Sequence, residues 1–245
     1  MISFIITAKN EPLLDNTIKS IKDNAVTDIE ILAEEDDGRG QRAMLNKLAQ
    51  QSNGDILCKV DAHCIFAPNF DADILQDFTD NCIIAPQMFP LNPETMLVDH
   101  QNRMSNFAID SELVMQHVPP VEDKVTETMC LQGSFFMLTK ANWFNWNICD
   151  ESLGSWGNQG CEIGLKAWYN SGKCVTTKKT YYGHLFRHSD KEFPYDRNQA
   201  EIDDTHNKFK QQFLDNRLGW LVKKFNYPCD WTEDKVKILC KPFIK

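Results

Sequence analysis

Residues 56–63, ILCKVDAH, join an apolar strand to two potential metal ligands, Asp61 and His63. Residues two apart on a strand point to the same side, so both side chains can reach one ion where the strand ends. A second fragment, GHLFR at residues 183–187, places His184 beside a guanidinium, as a metal and phosphate site requires. The two fragments together predict a site where a divalent cation holds a diphosphate.

The residues that precede this stretch alternate between strand and helix patterns. Apolar runs at residues 2–7 and 29–33 predict strands, and the residues at 13–21 and 42–50 predict helices. Three strands with two intervening helices indicate a parallel, right-handed, Rossmann-like nucleotide-binding half of an α/β fold. Ligands of such folds bind at the carboxyl edge of the sheet, where Asp61 and the acidic turn after the second strand both fall.

The later part of the chain has a less regular pattern. Its predicted elements are a helix at 71–80, a strand at 82–86, a buried strand at 129–139, a helix at 160–171, a strand at 175–182 and a C-terminal helix at 203–225. In the buried strand, Gly133 marks a point where a backbone or a ligand approaches closely. We expect residues 1–202 to form one domain and residues 203–245 to form a helical extension packed on it.

The composition is that of a globular protein with one sizeable core: 245 residues, 42% of them hydrophobic and 25% charged. No apolar run approaches the length of a membrane span, and no basic and apolar leader precedes Ile2. We therefore expect a cytoplasmic protein without a membrane partner. The nine cysteines form no CxxC pair and lie among apolar residues, which is typical of reduced core residues.

The net charge of −9 argues against a protein that grips nucleic acid through bulk electrostatics. From Lys208 onward, however, nine Lys and Arg residues stand against four Asp and Glu residues. Such a tail either faces a polyanion or forms an ordinary solvated helix, and the sequence leaves both interpretations open.

Four fragments resemble motifs of GT-A glycosyltransferases of family two, most closely those of the polypeptide N-acetylgalactosaminyltransferase branch. They are TAKNE at 7–11, DAH at 61–63, WGNQGCE at 156–162 and GHLFR at 183–187, and the match covers about the first 195 residues. The segment 156–168 also resembles small phage-associated relatives. The resemblance implies a GT-A fold with an added acceptor-side half, and a hexosyltransferase with a UDP-sugar donor and Mn²⁺ or Mg²⁺ as cofactor.

The resemblance also implies which residues bind the cofactor and the donor. Asp61, His63 and His184 would hold the metal, although His184 alone could be an ordinary half-buried strand residue. The other implied donor-binding residues are Thr7, Lys9, Asn10, Glu11, Asp36, Arg39 or Arg42, Gly133, Arg187 with His188, and Tyr195. Glu34, Glu35 and Asp37 compete with Asp36 for the base, and Asn10 could instead cap a helix. The loop 188–195 is either a lid or a disordered connection.

The reaction type depends on the segment before the late helix. Inverting relatives carry an acidic pair there, followed two residues later by another acid, but here the pair reads Gln159 and Gly160 and only Glu162 remains. The missing base favours a retaining reaction. Asp150, Glu151 or Glu162 could supply a base from a shifted position. Trp156 is a candidate wall of the acceptor or sugar site, or a core residue.

Two other classes of function are weaker alternatives. A metal-dependent nucleotidyltransferase or sugar-nucleotide pyrophosphorylase would favour a glycine-rich loop after the first strand, and residues 7–11 contain no glycine. A non-catalytic carbohydrate-binding module would not need Asp61, His63 and His184 to converge.

Protein, glycan, small molecule and modified DNA are all compatible acceptors, and a hydroxymethylated pyrimidine in phage DNA is the sharpest single hypothesis. The oligomeric state is not predicted.

Overall fold

The computed structural model describes residues 1–187 and 189–242 and shows a mixed α/β fold around an eight-stranded sheet. The strands are β1 Ile2–Ala8, β2 Ile29–Glu35, β3 Ile56–Asp61, β4 Cys64–Phe66, β5 Cys82–Pro90, β6 Phe107–Ile109, β7 Met115–His117, β8 Val125–Glu127, β9 Phe135–Thr139 and β10 Lys173–His184. The helices are α1 Leu14–Asn24, α2 Gln41–Gln51, α3 Phe70–Leu75, α4 Lys140–Asn145, α5 Gln159–Tyr169, α6 Gln199–Phe213, α7 Asn216–Lys224 and α8 Glu233–Leu239, with short 3₁₀ turns at Glu151–Leu153 and Asp190–Glu192.

The sheet order is β2-β1-β3-β9-β5-β10-β4, and β8 pairs with β10. β1 lies parallel to both β2 and β3, with Thr7 opposite Glu34 on one side and opposite Asp61 on the other. β1 is almost entirely buried because it lies between β2 and β3 and packs against α2. The predicted α/β class with a mostly parallel central sheet flanked by helices is confirmed, and the carboxyl ends of the first three strands share one edge.

β9 runs antiparallel to both of its neighbours, β3 and β5. Its first residues therefore start at the edge where β3 ends, with Phe135 opposite Val60. The predicted strand at 129–139 is shorter than expected because residues 130–134 form a loop at that edge. The Asp61 amide donates to the Ser134 carbonyl at 2.8 Å, which fixes this loop beside the end of β3.

The C-terminal residues form two helices where the sequence predicted one. α6 ends at Phe213, and the side chain of Asp215 caps the start of α7 by accepting from the Arg217 amide at 2.8 Å. Phe209 and Leu218 belong to the same buried core cluster as the sheet. The division of the chain at residue 202 stays a prediction.

The basic tail is largely neutralised by acids of the chain itself. Among the tail cations that the structure describes, up to residue 242, six form ion pairs with carboxylates of the chain: Lys208, Lys210, Arg217, Lys224, Lys235 and Lys237. This pairing favours the interpretation as solvated helices over a surface that faces a polyanion.

All nine cysteines are free. Seven of them are buried, as predicted, but Cys229 is exposed and Cys240 is partly exposed, so these two are not core residues. In the described part of the chain, none of the helices has both the length and the apolar character needed to cross a lipid bilayer.

Candidate metal and nucleotide site

A cavity of about 340 Å³ opens at the carboxyl edge of the sheet. The predicted site residues that line it are Thr7, Lys9, Glu11, Asp36, Asp61, His63, Trp156, His184, Arg187 and Tyr195. They come from the ends of β1, β3 and β10, from the loop after β2, from the loop before α5 and from the segment before α6. The structure thus brings together in one cavity most of the residues that the motifs pointed to.

Asp61, His63 and His184 form a compact cluster whose potential ligand atoms all lie within 4.8 Å of one another. Asp61 is the last residue of β3 and His63 lies in the turn to β4, while His184 is the last residue of β10. β4 pairs antiparallel with β10, which sets His184 opposite Cys64 and beside the turn. One carboxylate and two imidazoles suit Mn²⁺ better than Ca²⁺.

The surroundings of His184 fit a metal ligand. The ring is 5% exposed, and neither of its nitrogens has a hydrogen-bond partner within the described residues, although Nε2 lies 3.4 Å from Asp61 Oδ2. Burial lowers the pKa of His184 to about 4, even though the Asp61 carboxylate opposes the shift. A neutral imidazole with an unpaired nitrogen is the form that binds a metal ion.

Asp61 also compensates a buried cation. The ammonium of Lys59, 1% exposed, contacts the Asp61 carboxylate and donates to the Gly133 carbonyl at 2.5 Å. Burial raises the pKa of Asp61, but Lys59 and His184 more than offset this, so the pKa lies below its usual range. The carboxylate is therefore ionised and available to a cation at neutral pH. The close backbone approach predicted at Gly133 is real, but its partners are Lys59 and the backbone of α5.

Glu11 links the metal cluster to the cation beside it. Its carboxylate contacts His63 Nδ1 at 3.0 Å and accepts from Arg187 at 2.6 Å. Burial raises the pKa of Glu11, but His63 and Arg187 reverse the shift and leave the pKa lowered. A carboxylate on Nδ1 leaves Nε2 of His63 for the metal and fixes the ring orientation.

The loop after β2 presents one acid to the cavity. Of the four competing acids at 34–37, Asp36 lines the cavity, and its carboxylate accepts from the amides of Gly38 and Gly40 at 3.1 and 3.0 Å. Gly40 has φ +85°, and a Cβ there would lie 2.2 Å from the Ser155 side chain. The other three acids contact residues of the chain outside the cavity, namely Lys47, the Asn10 amide and Arg39.

Arg42 and Glu162, predicted as a uridine ligand and a base, do not reach the cavity. Both are buried in a shared ion pair at 2.9 Å, and Arg42 also donates to the carbonyls of Gly154 and Gly157. Glu162 accepts in addition from Lys166 at 2.6 Å and from the Asp150 amide at 2.9 Å. A carboxylate with all these partners and no exposed surface holds α2, α5 and the loop before α5 together. The structure thus places neither residue at the cavity, and their roles in uridine binding and base catalysis stay predictions.

Three further predicted residues lie outside the cavity. Arg39 is exposed and paired with Asp37, and Asn10 has φ +52° and does not cap α1, which begins at Leu14. The Asp150 side chain caps the turn at Glu151–Leu153 by accepting from Ser152. The roles in donor binding and base catalysis that the motifs gave to these three residues stay predictions, and none of the three lines either cavity.

A second cavity, about 490 Å³, adjoins the first and shares Asp61, Gln132 and Trp156 with it. Gly133 and Gln159 line this cavity, together with Asp203 and His206 of α6. Trp156 is 40% exposed and stands between the two spaces, so the prediction of a wall residue fits its position. Asp61 thus lies on the walls of both cavities.

The segment 189–197 covers the first cavity with aromatic and basic side chains. Lys9 Nζ lies 5.2 Å from the Tyr195 ring centroid, and the Arg187 guanidinium lies 5.7 Å from that of Phe193. Four further residues line the cavity: Phe193, Arg197, Gln132 and Ser155. The sequence motifs did not indicate Arg197, Gln132 or Ser155. His188 lies outside the described residues.

Comparisons with known proteins agree with this geometry. No family model matches the chain. A putative polypeptide N-acetylgalactosaminyltransferase 10 of Caenorhabditis briggsae is 25% identical over 149 residues, 57% of this chain and 23% of that protein. Human N-acetylgalactosaminyltransferase 7 is 25% identical over 150 residues, with 55% and 23% covered. The chain thus spans about a quarter of the length of these curated relatives.

Solved structures share the fold at low identity. A crystal structure of GalNAc-T7 with UDP, GalNAc and Mn²⁺ superposes with a TM-score of 0.77 at 16% identity, covering 99% of this chain and 55% of that one. Staphylococcus aureus TarS with UDP-GlcNAc has a TM-score of 0.53 at 13% identity, with 97% and 70% covered. The chain therefore has the GT-A fold, and over about half of its length its sequence is similar to those of polypeptide N-acetylgalactosaminyltransferases.

Proposed function

We propose that this protein is a metal-dependent glycosyltransferase that moves a sugar from a UDP-sugar to an acceptor hydroxyl. The observation that carries the proposal is the cluster of Asp61, His63 and His184 on the wall of a cavity that also presents Asp36. A bound Mn²⁺ would neutralise the charge of the departing diphosphate there. The reduced cysteines suit the cytoplasm as the site of action.

The residues of the cavity divide into groups with different roles. Thr7 and Asp36 would hydrogen-bond the uracil and ribose; their position on the cavity wall, where β1 and β2 end, supports this role. Glu11 orients His63 and Arg187. Lys9, Phe193 and Tyr195 close the cavity from above and exclude water from the reacting bond.

Uracil selectivity is the first expected result. UDP with Mn²⁺ should raise the melting temperature more than ADP, GDP or CDP, because a ligand that binds only the folded state stabilises it by mass action. At 100 times the dissociation constant the gain is about 2.7 kcal/mol, or about 5–10 °C for a chain of this size. Differential scanning fluorimetry with and without EDTA measures it, and a larger shift with a purine nucleotide would contradict the roles of Thr7 and Asp36.

Nucleotidyl transfer is the alternative that shares this geometry. A pyrophosphorylase would make a UDP-sugar from UTP and a sugar 1-phosphate, whereas a glycosyltransferase consumes the UDP-sugar and releases UDP. Chromatography of both reactions with the same protein separates the two activities. Neither cavity lining contains a glycine-rich phosphate loop within the described residues, which favours sugar transfer.

The retaining course is also part of the proposal. Gln159 occupies the position of the missing acid, while Glu162 and Asp150 are bound to other groups away from both cavities. Asp203, which accepts from Gln199 at 2.8 Å, is a carboxylate of the second cavity that the motifs did not indicate. It is the strongest candidate base if the reaction inverts.

Product NMR is therefore expected to show the anomeric configuration of the donor. Asp203→Asn should change turnover less than tenfold, since removal of a general base typically lowers the rate by about 10² to 10⁴. Gln159→Glu should not raise turnover; position 160 is unsuitable for restoring an acid because a Cβ there would lie 2.1 Å from the Leu131 carbonyl. An inverted product together with an inactive Asp203→Asn variant would overturn retention.

The chemical class of the acceptor can be identified by testing candidate acceptors of several classes in the same assay. The ion pairs of the C-terminal cations give no support to polyanion binding, so a hydroxyl of a protein or glycan is favoured over a hydroxymethylated pyrimidine in DNA. Mass spectrometry of hydroxymethylated DNA, Ser/Thr peptides and oligosaccharides, each incubated with a panel of UDP-sugars and Mn²⁺, identifies the acceptor by its mass increase.

A further inference from the structure

Arg197 holds an unusual position between the covering segment and the cavity wall. It directly precedes Asn198, the residue that caps α6, and its side chain lines the first cavity. The guanidinium carbon lies 4.7 Å from the Phe193 ring centroid and 5.3 Å from that of Trp156. Two aromatic contacts hold this guanidinium in place.

The hydrogen-bonding capacity of Arg197 is largely unused. Its Nε is buried and has no hydrogen-bond partner within residues 1–187 and 189–242. Its ion pair is a 3.3 Å contact with Asp190, whose side chain is 84% exposed and therefore strongly screened by solvent. A buried guanidinium N–H without an acceptor is unfavourable, so an anion in the cavity would stabilise this arrangement.

The other cations of the cavity are already engaged. Arg187 is bound to the buried carboxylate of Glu11 at 2.6 Å, and Lys9 lies over the Tyr195 ring. Of the two arginines that line the cavity in the described part of the chain, Arg197 is thus the one whose charge faces no buried carboxylate. Guanidinium groups bind phosphate oxygens with two parallel hydrogen bonds.

We propose that Arg197 binds the diphosphate of the nucleotide sugar from the covering segment, on the side away from the metal cluster. This inference rests on the proposed function and adds to it a specific anion ligand. It also makes the covering segment part of the donor site, because Arg197 can bind the diphosphate only while its contacts with Phe193 and Trp156 are in place.

The test compares UDP with uridine, which has no phosphate. In Mn²⁺ buffer, Arg197→Gln should raise the dissociation constant of UDP about 10- to 100-fold, as expected for loss of a charge-assisted contact, and leave that of uridine within about twofold. Arg197→Lys keeps the charge without the planar fork and should fall between. Arg217→Gln is the matched control, since Arg217 also stacks on an aromatic ring, 4.2 Å from the Tyr169 centroid, and pairs with Asp215 away from both cavities.

Calorimetric titration of the four proteins, with melting temperatures recorded in parallel, separates the outcomes. Equal UDP affinity in wild type and Arg197→Gln overturns the diphosphate contact while the proposed function stands. An equal loss for UDP and uridine also overturns it, because Arg197 would then act by shaping the cavity. Wild-type protein that fails to bind UDP in Mn²⁺ overturns the proposed function itself.

Discussion

A His184→Gln variant is expected to lose about 10³-fold of the Mn²⁺-dependent transfer activity, because metal stabilisation of a departing diphosphate contributes several kcal/mol. The same variant should bind UDP no more tightly with Mn²⁺ than with EDTA. The side chain is buried with both nitrogens unpaired in the described structure, so the replacement removes a ligand without breaking a hydrogen bond.

The control for this experiment is His100→Gln, since His100 packs against Phe89 and Tyr181 outside both cavities. Asp61→Asn should also abolish the metal effect, but it removes the counterion of the buried Lys59 and should lower stability as well. His184→Gln with wild-type activity and an unchanged response to EDTA would refute the metal site.

The second large effect is on stability. Glu162→Gln is expected to lower the free energy of unfolding by about 3–5 kcal/mol, because Arg42 and Lys166 would remain buried without their carboxylate. Urea denaturation followed by circular dichroism measures the change. Glu151→Gln is the matched control: Glu151 is exposed and accepts from Asn46 at 2.8 Å, so its replacement should change stability by less than about 0.5 kcal/mol.

This experiment separates a structural role for Glu162 from a catalytic one. A stable Glu162→Gln protein that has lost activity would return Glu162 to the chemistry of the reaction. A destabilised protein whose remaining folded fraction keeps its turnover number would show that the ion pair supports the fold alone.

The first three strands and the metal motif could be predicted from sequence because their signals are local. Each strand is a short apolar run, and Asp61 and His63 follow such a run with one spacer. The edge at which they lie follows from the parallel arrangement, which alternating strands and helices imply. The role of His184 as a metal ligand could be predicted for a different reason, because residues 183–187 resemble a known motif.

The roles of Arg42, Glu162 and Arg197 could not be predicted in the same way. A charged residue in a helical segment has the same local pattern whether its side chain is solvated, paired in the core or directed to a ligand. Arg42 and Glu162 form an ion pair although 120 positions separate them in the sequence. The role proposed for Arg197 depends on its contacts with the rings of Trp156 and Phe193. Such pairs are determined by tertiary packing, which periodicity does not encode.

The two parts of the metal cluster are synthesised far apart in time. Asp61 and His63 adjoin β4, and in the described part of the chain β4 pairs with the end of β10, which carries His184. N-terminal segments of a nascent chain emerge and begin to fold first. A chain interrupted before β10 would therefore hold the first three strands but no complete set of ligands. A metal ion bound by all three side chains would therefore report that β10 has joined the sheet.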